Sequence, residues 1–114
     1  MKKNLLFEKA DRIAKLIYKL SLNFPQIYQF SLGEQIRRSS LSIILNIVEG
    51  EARISNKEKK QFLNISFSSL KETKYLIYFC FDLGLISKEK FEDLIIKINE
   101  LAKILYGLLY KSKK

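Results

Sequence analysis

Apolar positions recur at helical spacing along almost the whole chain. In the first segment Leu6, Ala10, Ile13, Ala14, Ile17 and Leu20 return every three or four residues, the spacing of one buried helix face. They predict a helix from about Leu5 to Leu22. Asn23-Phe24-Pro25-Gln26 breaks the pattern, because proline disfavours helical geometry in the residue before it. Residues 23–30 therefore read as a loop with room for a helical turn. Ser31-Leu32-Gly33-Glu34 fits a capping box, in which serine oxygen and glutamate each satisfy an orphan amide, and opens a second helix ending near Gly50 to Arg53. Ser55-Asn56-Lys57-Glu58 repeats the device and opens a third, running to about Leu83 with Gly84 as its stop. Ser87 is the N-cap of a fourth, with Phe91, Leu94, Ile95, Ile98, Leu101, Ala102, Leu105 and Leu109 as its apolar stripe and Glu92, Asp93, Lys97, Glu100 and Lys103 facing water. Short connections make sequential helices antiparallel neighbours. The expected fold is all-α, an antiparallel up-down-up-down four-helix bundle forming one domain over residues 1–114, with a frayed basic tail from Lys111 to Lys114.

The second helix is the most informative. At 100° per residue, Gln35, Arg38, Ser39, Ser42, Asn46, Glu49 and Arg53 fall within roughly 100° of one another. Ile36, Leu41, Ile43, Ile44, Leu45, Ile47 and Val48 fill most of the remaining circumference. A surface helix of one bundle needs a narrower apolar stripe, so this helix is expected to be covered on more than one side, by its own bundle and by copies of the chain. Arg38, Asn46, Glu49 and Arg53, joined by Glu72 of the third helix, are the candidates for a structural polar network that fixes helix register or subunit pairing. Charge removed from water must be paired, and Glu49 with Arg38 or Arg53 is the expected pair.

On the third helix Phe62, Ile65, Ser66, Ser69, Thr73, Leu76, Ile77 and Cys80 form one stripe. Its small members, Ser66, Ser69 and Thr73, would let a neighbouring helix approach closely. A second stripe, Phe67, Leu70, Tyr78, Phe81 and Leu85, exceeds what one bundle needs and is expected to mark an interface.

Composition narrows the function. The 114 residues suit one domain, and 47% hydrophobic content supplies a core. The longest apolar run, Tyr75 to Phe81, is too short to span a bilayer, and no signal peptide is evident after Met1. One cysteine, Cys80, precludes an internal disulfide and points to a reducing, cytoplasmic setting. There is no histidine, which removes Ser-His and Cys-His dyads, Glu-x-x-His iron sites and most zinc sites. Gly33, Gly50, Gly84 and Gly107 stand alone, so no phosphate-cradling loop is present. The carboxylates are scattered or interleaved with lysines. No enzyme, cofactor or metal site is expected.

The net charge of +9 favours polyanions. Only four of the 21 basic residues are arginines, and residues 31–54 balance three arginines against three glutamates. The excess therefore lies on the other helices. Lys9, Arg12, Lys15 and Lys19 cover roughly 120° of the first helix and are the candidate nucleic-acid-binding residues, placed to track a phosphate backbone. Only Tyr18 lies near them among the aromatics, so base stacking is not signalled there.

Gln35-Ile36-Arg37-Arg38, Ser42-Ile43, Asn46-Ile47-Val48-Glu49-Gly50, Arg53, Phe62-Leu63-Asn64-Ile65, Ser69 and Glu72 together resemble the signature of the four helix bundle protein family, also called 23S rRNA intervening-sequence proteins. The resemblance covers nearly the whole chain. Where that family carries Ala-x-Gly-Ser on its third helix, this chain has Ser66-Phe67-Ser68-Ser69. The resemblance implies an antiparallel four-helix bundle that assembles as a ring-like homopentamer of small bacterial proteins with no established enzymatic activity. Related accessory proteins of diversity-generating retroelements are basic pentamers that bind nucleic acid and a reverse transcriptase. The implied partners are thus copies of the chain itself, RNA or DNA, and a nucleic-acid-processing protein, and five copies at +9 each would carry +45. The expectation is a non-enzymatic homo-oligomeric bundle that binds nucleic acid through basic outer surfaces. The alternative is a protein-interaction scaffold whose lysines serve solubility, and catalysis by Arg38, Glu49 and Arg53 is the least favoured reading.

Overall fold

A computed structural model describes residues 4–110; the expected basic tail, Lys111 to Lys114, lies outside the described residues. Four helices follow one another: α1 (Leu5–Ser21), α2 (Leu32–Glu51), α3 (Asn56–Asp82) and α4 (Lys88–Tyr110), with a 3₁₀ turn at Gln26–Tyr28 between α1 and α2. Each helix packs on its two sequential or closing neighbours and none packs across the diagonal. The result is an antiparallel up-down-up-down four-helix bundle about 46 Å long and 24 Å across.

The helix ends follow local chemistry, with one departure. Ser55 Oγ accepts from the Glu58 amide at 3.0 Å, and Ser87 Oγ accepts from the Lys90 amide at 3.2 Å, each capping the helix that follows. Asn4 caps α1 through a bond from the Phe7 amide at 2.7 Å. Ser31 does not cap α2. Its backbone leaves the usual cap conformation (φ −126°, ψ −97°), and its hydroxyl lies nearest the Ile27 carbonyl at 3.5 Å. The preceding 3₁₀ turn delivers the chain at an angle that points the hydroxyl backward. Gly84 ends α3 at φ +81°. Its amide bonds Phe81 O and the Leu85 amide bonds Cys80 O, each at 2.9 Å, the paired bonds of a Schellman motif.

The core is the set of stripes the helices turn inward. Ile13 and Ile17 of α1, Ile36, Ile43 and Ile47 of α2, Leu70 and Ile77 of α3, and Ile98, Leu101 and Leu105 of α4 are all fully buried. The second apolar stripe of α3 is consumed here, against expectation. Leu70 is buried, Phe67, Phe81 and Leu85 pack against the core, Phe81 stacks on Phe91 at 4.1 Å, and Tyr78 meets Phe91 edge-on at 5.0 Å. That stripe is the seat of α4, because a long α3 must bury one face on α2 and another on α4.

Between α2 and α3 the contact is made by hydroxyls. Ser66 Oγ donates to Ile43 O at 2.7 Å, Ser42 and Ser69 share a 2.7 Å bond, and Thr73 Oγ1 lies 2.9 Å from Ser39 Oγ and 2.8 Å from Ser69 O. Small side chains bring the helices close, and each buried hydroxyl finds a partner at that distance. Gly50 serves the same approach at the α2–α3 corner, where an added Cβ would stand 3.3 Å from both Lys59 O and Phe62 Cβ.

Candidate functional site

The polar stripe of α2 forms on the outer surface as short local pairs. Arg38 holds Glu34 at 2.9 Å, one turn apart on α2, and Arg53, just past the end of α2, reaches back four residues to hold Glu49 at 3.0 Å. Glu72 reaches α2 through Gln35, whose amide donates at 2.7 Å. Asn46 donates to Ser42 O at 2.8 Å and to Ser42 Oγ at 3.1 Å, extending the Ser42–Ser69 bond. The Arg53 guanidinium also lies 4.6 Å from the Phe62 ring centroid. Within one subunit Arg38, Glu49, Arg53 and Glu72 are thus surface groups in separate pairs, and exposed pairs one turn apart contribute about 0.3–0.5 kcal/mol each. Their carboxylates converge on no shared point, and the described residues contain no metal-ligating cluster of Asp, Glu or Cys.

Beside that stripe the outer face of α2 is apolar and uncovered. Leu41, Leu45 and Val48 remain 48%, 52% and 44% exposed. They recur at i, i+4 and i+7, so they line up along one side, while Ile36, Ile43, Ile44 and Ile47 fill the core. Ile65, Tyr75, Phe79 and Leu83 add an exposed apolar edge on α3.

Lys9, Arg12, Lys15 and Lys19 line the outer side of α1 beside its groove with α4. Lys9 is held by Glu100 of α4 at 3.2 Å and Lys15 by Asp11 at 2.9 Å. Across the groove Lys97 pairs with Asp93 at 2.6 Å. Arg12 and Lys19 have no carboxylate partner among the described residues. The tertiary structure thus splits the stripe, two members neutralised by neighbours and two left open. The shallow groove beside it, about 300 Å³, is lined by Leu16, Lys19, Leu20, Lys90, Asp93 and Leu94, charges of both signs around an apolar floor.

Two groups were not singled out from the sequence. Arg37 turns away from the stripe that holds its neighbour Arg38. It donates to Ser21 Oγ at 2.9 Å and Gln29 O at 2.7 Å and lies 5.7 Å from the Tyr18 ring centroid. Gln29 in turn donates to Ser21 O and Phe24 O at 2.9 and 2.8 Å. Together they close the C-terminal end of α1, where helix carbonyls lack intrahelical partners. A 100° turn between adjacent arginines is the one sequence signal that could have separated Arg37 from Arg38. The second group is Phe67, Lys71, Lys103 and Tyr106, which line an open groove of about 490 Å³ between α3 and α4. Each helix supplies a pair at helical spacing, and the two pairs are more than 30 residues apart in the sequence. Cys80 is buried, and desolvation pushes its thiol up to about 11.

Fold and surface together define a four-helix bundle with an uncovered apolar side and a basic exterior. Residues 2–107 match the 23S rRNA-intervening sequence protein family, and the chain belongs to that family. It is also similar to a crystal structure of a protein of unknown function from the S23 ribosomal protein family of Bacteroides thetaiotaomicron, with a TM-score of 0.85 at 27% identity, covering 94% of this chain and 100% of that one. Comparison with curated proteins finds no match. No described helix is long and apolar enough to cross a membrane.

Proposed function

We propose that this protein is a non-enzymatic, self-assembling helical bundle of the cytoplasm that binds RNA or DNA through its basic outer surface, with a homopentamer as the assembly implied by its family. The observation that carries the nucleic-acid reading is the surplus of unpaired cations. Five basic side chains are held in ion pairs, whereas Arg12 and Lys19 on α1, Lys71 and Lys74 on α3, and Lys90 and Lys103 on α4 have no carboxylate partner among the described residues. Such charges repel one another in the folded subunit and are relieved by a polyanion. Assembly through the Leu41, Leu45 and Val48 face would repeat the pattern around a ring, so that the fields of several subunits add. A nucleic-acid-processing protein is a further partner consistent with this role.

Light scattering on nuclease-treated protein, with and without single-stranded RNA at low and at physiological salt, tests both halves. A discrete oligomer that gains mass with RNA, and more so at low salt, is the expected result, because phosphate contacts release counterions. A monomer refutes the assembly, and an oligomer indifferent to RNA and DNA at low salt refutes the binding. The exposed Ile65, Tyr75, Phe79 and Leu83 edge of α3 favours a second reading, a protein-interaction scaffold, and recovery of one defined protein partner after nuclease treatment would select it.

A further inference from the structure

The groove between α3 and α4 differs in kind from the one beside α1. On α3, positions 60, 67, 71 and 74 share one side at helical spacing, and they are Lys60, Phe67, Lys71 and Lys74. On α4, Lys103, Tyr106 and Tyr110 share the facing side. The Lys71 ammonium stands 5.3 Å from the Phe67 ring centroid, Phe67 lies 6.4 Å from Tyr106, and Tyr106 lies 4.8 Å from Tyr110. The three rings form a ladder edged by lysines.

Three features of this ladder point to a ligand. Tyr106 and Tyr110 keep 50% and 58% of their surface exposed, and neither phenol makes a hydrogen bond among the described residues. Asp82 and Glu92 share these helix sides farther along, but among the described residues no carboxylate pairs with Lys71, Lys74 or Lys103. The α1 stripe, by contrast, has two of its four cations held by Asp11 and Glu100 and no ring ladder. Alternating ring and cation is the arrangement that takes a nucleic-acid strand, bases on the rings and phosphates on the cations. A duplex hides its base faces and offers such rings nothing to stack on.

We propose that the α3–α4 groove, with Phe67, Tyr106 and Tyr110 as stacking rings and Lys71, Lys74 and Lys103 as phosphate contacts, is a binding site for single-stranded nucleic acid. This rests on the nucleic-acid reading of the protein and assigns it a place and a strand class that the α1 stripe does not provide. RNA and DNA share the chemistry the groove reads. The 2′-hydroxyl and the 5-methyl group of thymine separate them.

The test uses labelled uridine and thymidine homo-oligomers and a matched duplex, titrated into the full-length assembled protein at several salt concentrations. The chain has six tyrosines and no tryptophan, so quenching of tyrosine emission on single-strand binding gives a second readout. Single strands are expected to bind more tightly than the duplex. Tyr106→Leu and Tyr110→Leu, both at exposed positions, should each weaken single-strand binding about tenfold and leave the salt dependence unchanged. Lys71→Gln and Lys103→Gln should each flatten the logarithmic salt slope by about 0.7. Circular dichroism and scattering mass confirm that each variant folds and assembles. If all four variants bind like the wild type while Arg12→Gln and Lys19→Gln lose binding, the groove assignment falls and the nucleic-acid reading stands. A duplex preference with unquenched tyrosines overturns the groove in the same way. If the wild type binds no nucleic acid at low salt, both fall together.

Discussion

Replacing Leu45 by lysine tests whether the outer face of α2 is an assembly surface. Full burial of a leucine side chain is worth about 1.5–3 kcal/mol. Leu41, Leu45 and Val48 each retain roughly half their surface, so covering the three yields about 3 kcal/mol from one subunit, with the surface they meet adding its own share. Leu45→Lys removes about 1 kcal/mol of that burial and places an ammonium at the centre of the contact, where it must be hydrated or paired. A total loss of about 3 kcal/mol per contact corresponds to association weakened by roughly 100-fold. The assay is sedimentation or light-scattering mass across a concentration series, with circular dichroism to show that the helices persist. Ile54→Lys is the control: Ile54 is 97% exposed in the α2–α3 connection and lies off this face, yet the substitution makes the same chemical change. Dissociation by Leu45→Lys with Ile54→Lys unaffected is the expected pattern. A Leu45→Lys protein with wild-type mass, or equal dissociation by both, refutes the assignment of the face.

The remaining predictions concern the subunit. Thr73→Val keeps the volume but removes the hydroxyl between Ser39 and Ser69; it should destabilise by about 1 kcal/mol and lower Tm by about 4 °C, and an unchanged Tm would show that the hydroxyl contact adds nothing. Gly84→Ala forces a Cβ into φ +81° and should cost about 1 kcal/mol in urea unfolding, whereas Gly107→Ala, with open space around its Cα, should stabilise by roughly 0.5–1 kcal/mol; the same sign for both would contradict the helix-end geometry. Burial holds the Cys80 thiol at about 11, so its thiolate is about 100-fold scarcer than in the unfolded chain near neutral pH, and a thiol reagent should label it only after denaturant is added. Because that value is raised, the contribution to stability is present below the unfolded thiol's pKa and is lost as pH rises towards 11; alkaline unfolding that is identical in Cys80→Ala would argue against it.

The helices and their order were legible in the sequence because each segment carries its own period, and because Gly84, Ser55 and Ser87 act through bonds that close within a few residues. The cap expected at Ser31 failed for a reason outside that local window, since the 3₁₀ turn fixes the direction from which the chain enters α2. The close α2–α3 approach was also readable, from Ser66, Ser69 and Thr73 on one side of one helix.

The candidate site was less legible. The spacing of Lys9, Arg12, Lys15 and Lys19 showed that they share a side, but Glu100 arrives beside Lys9 from the far end of the chain, and no local pattern records that. The sequence likewise placed Arg38, Glu49 and Arg53 on one stripe without saying that Arg38 would take Glu34. Phe67 appeared as surplus apolar surface until α4 packed beside it and put Tyr106 and Lys103 next to Lys71. Periodicity along one helix determines which residues share a side, since that follows from 3.6 residues per turn. Which sides meet, which charges are cancelled, and which rings and cations end in one groove is decided by packing between helices, where residues distant in sequence become neighbours in space.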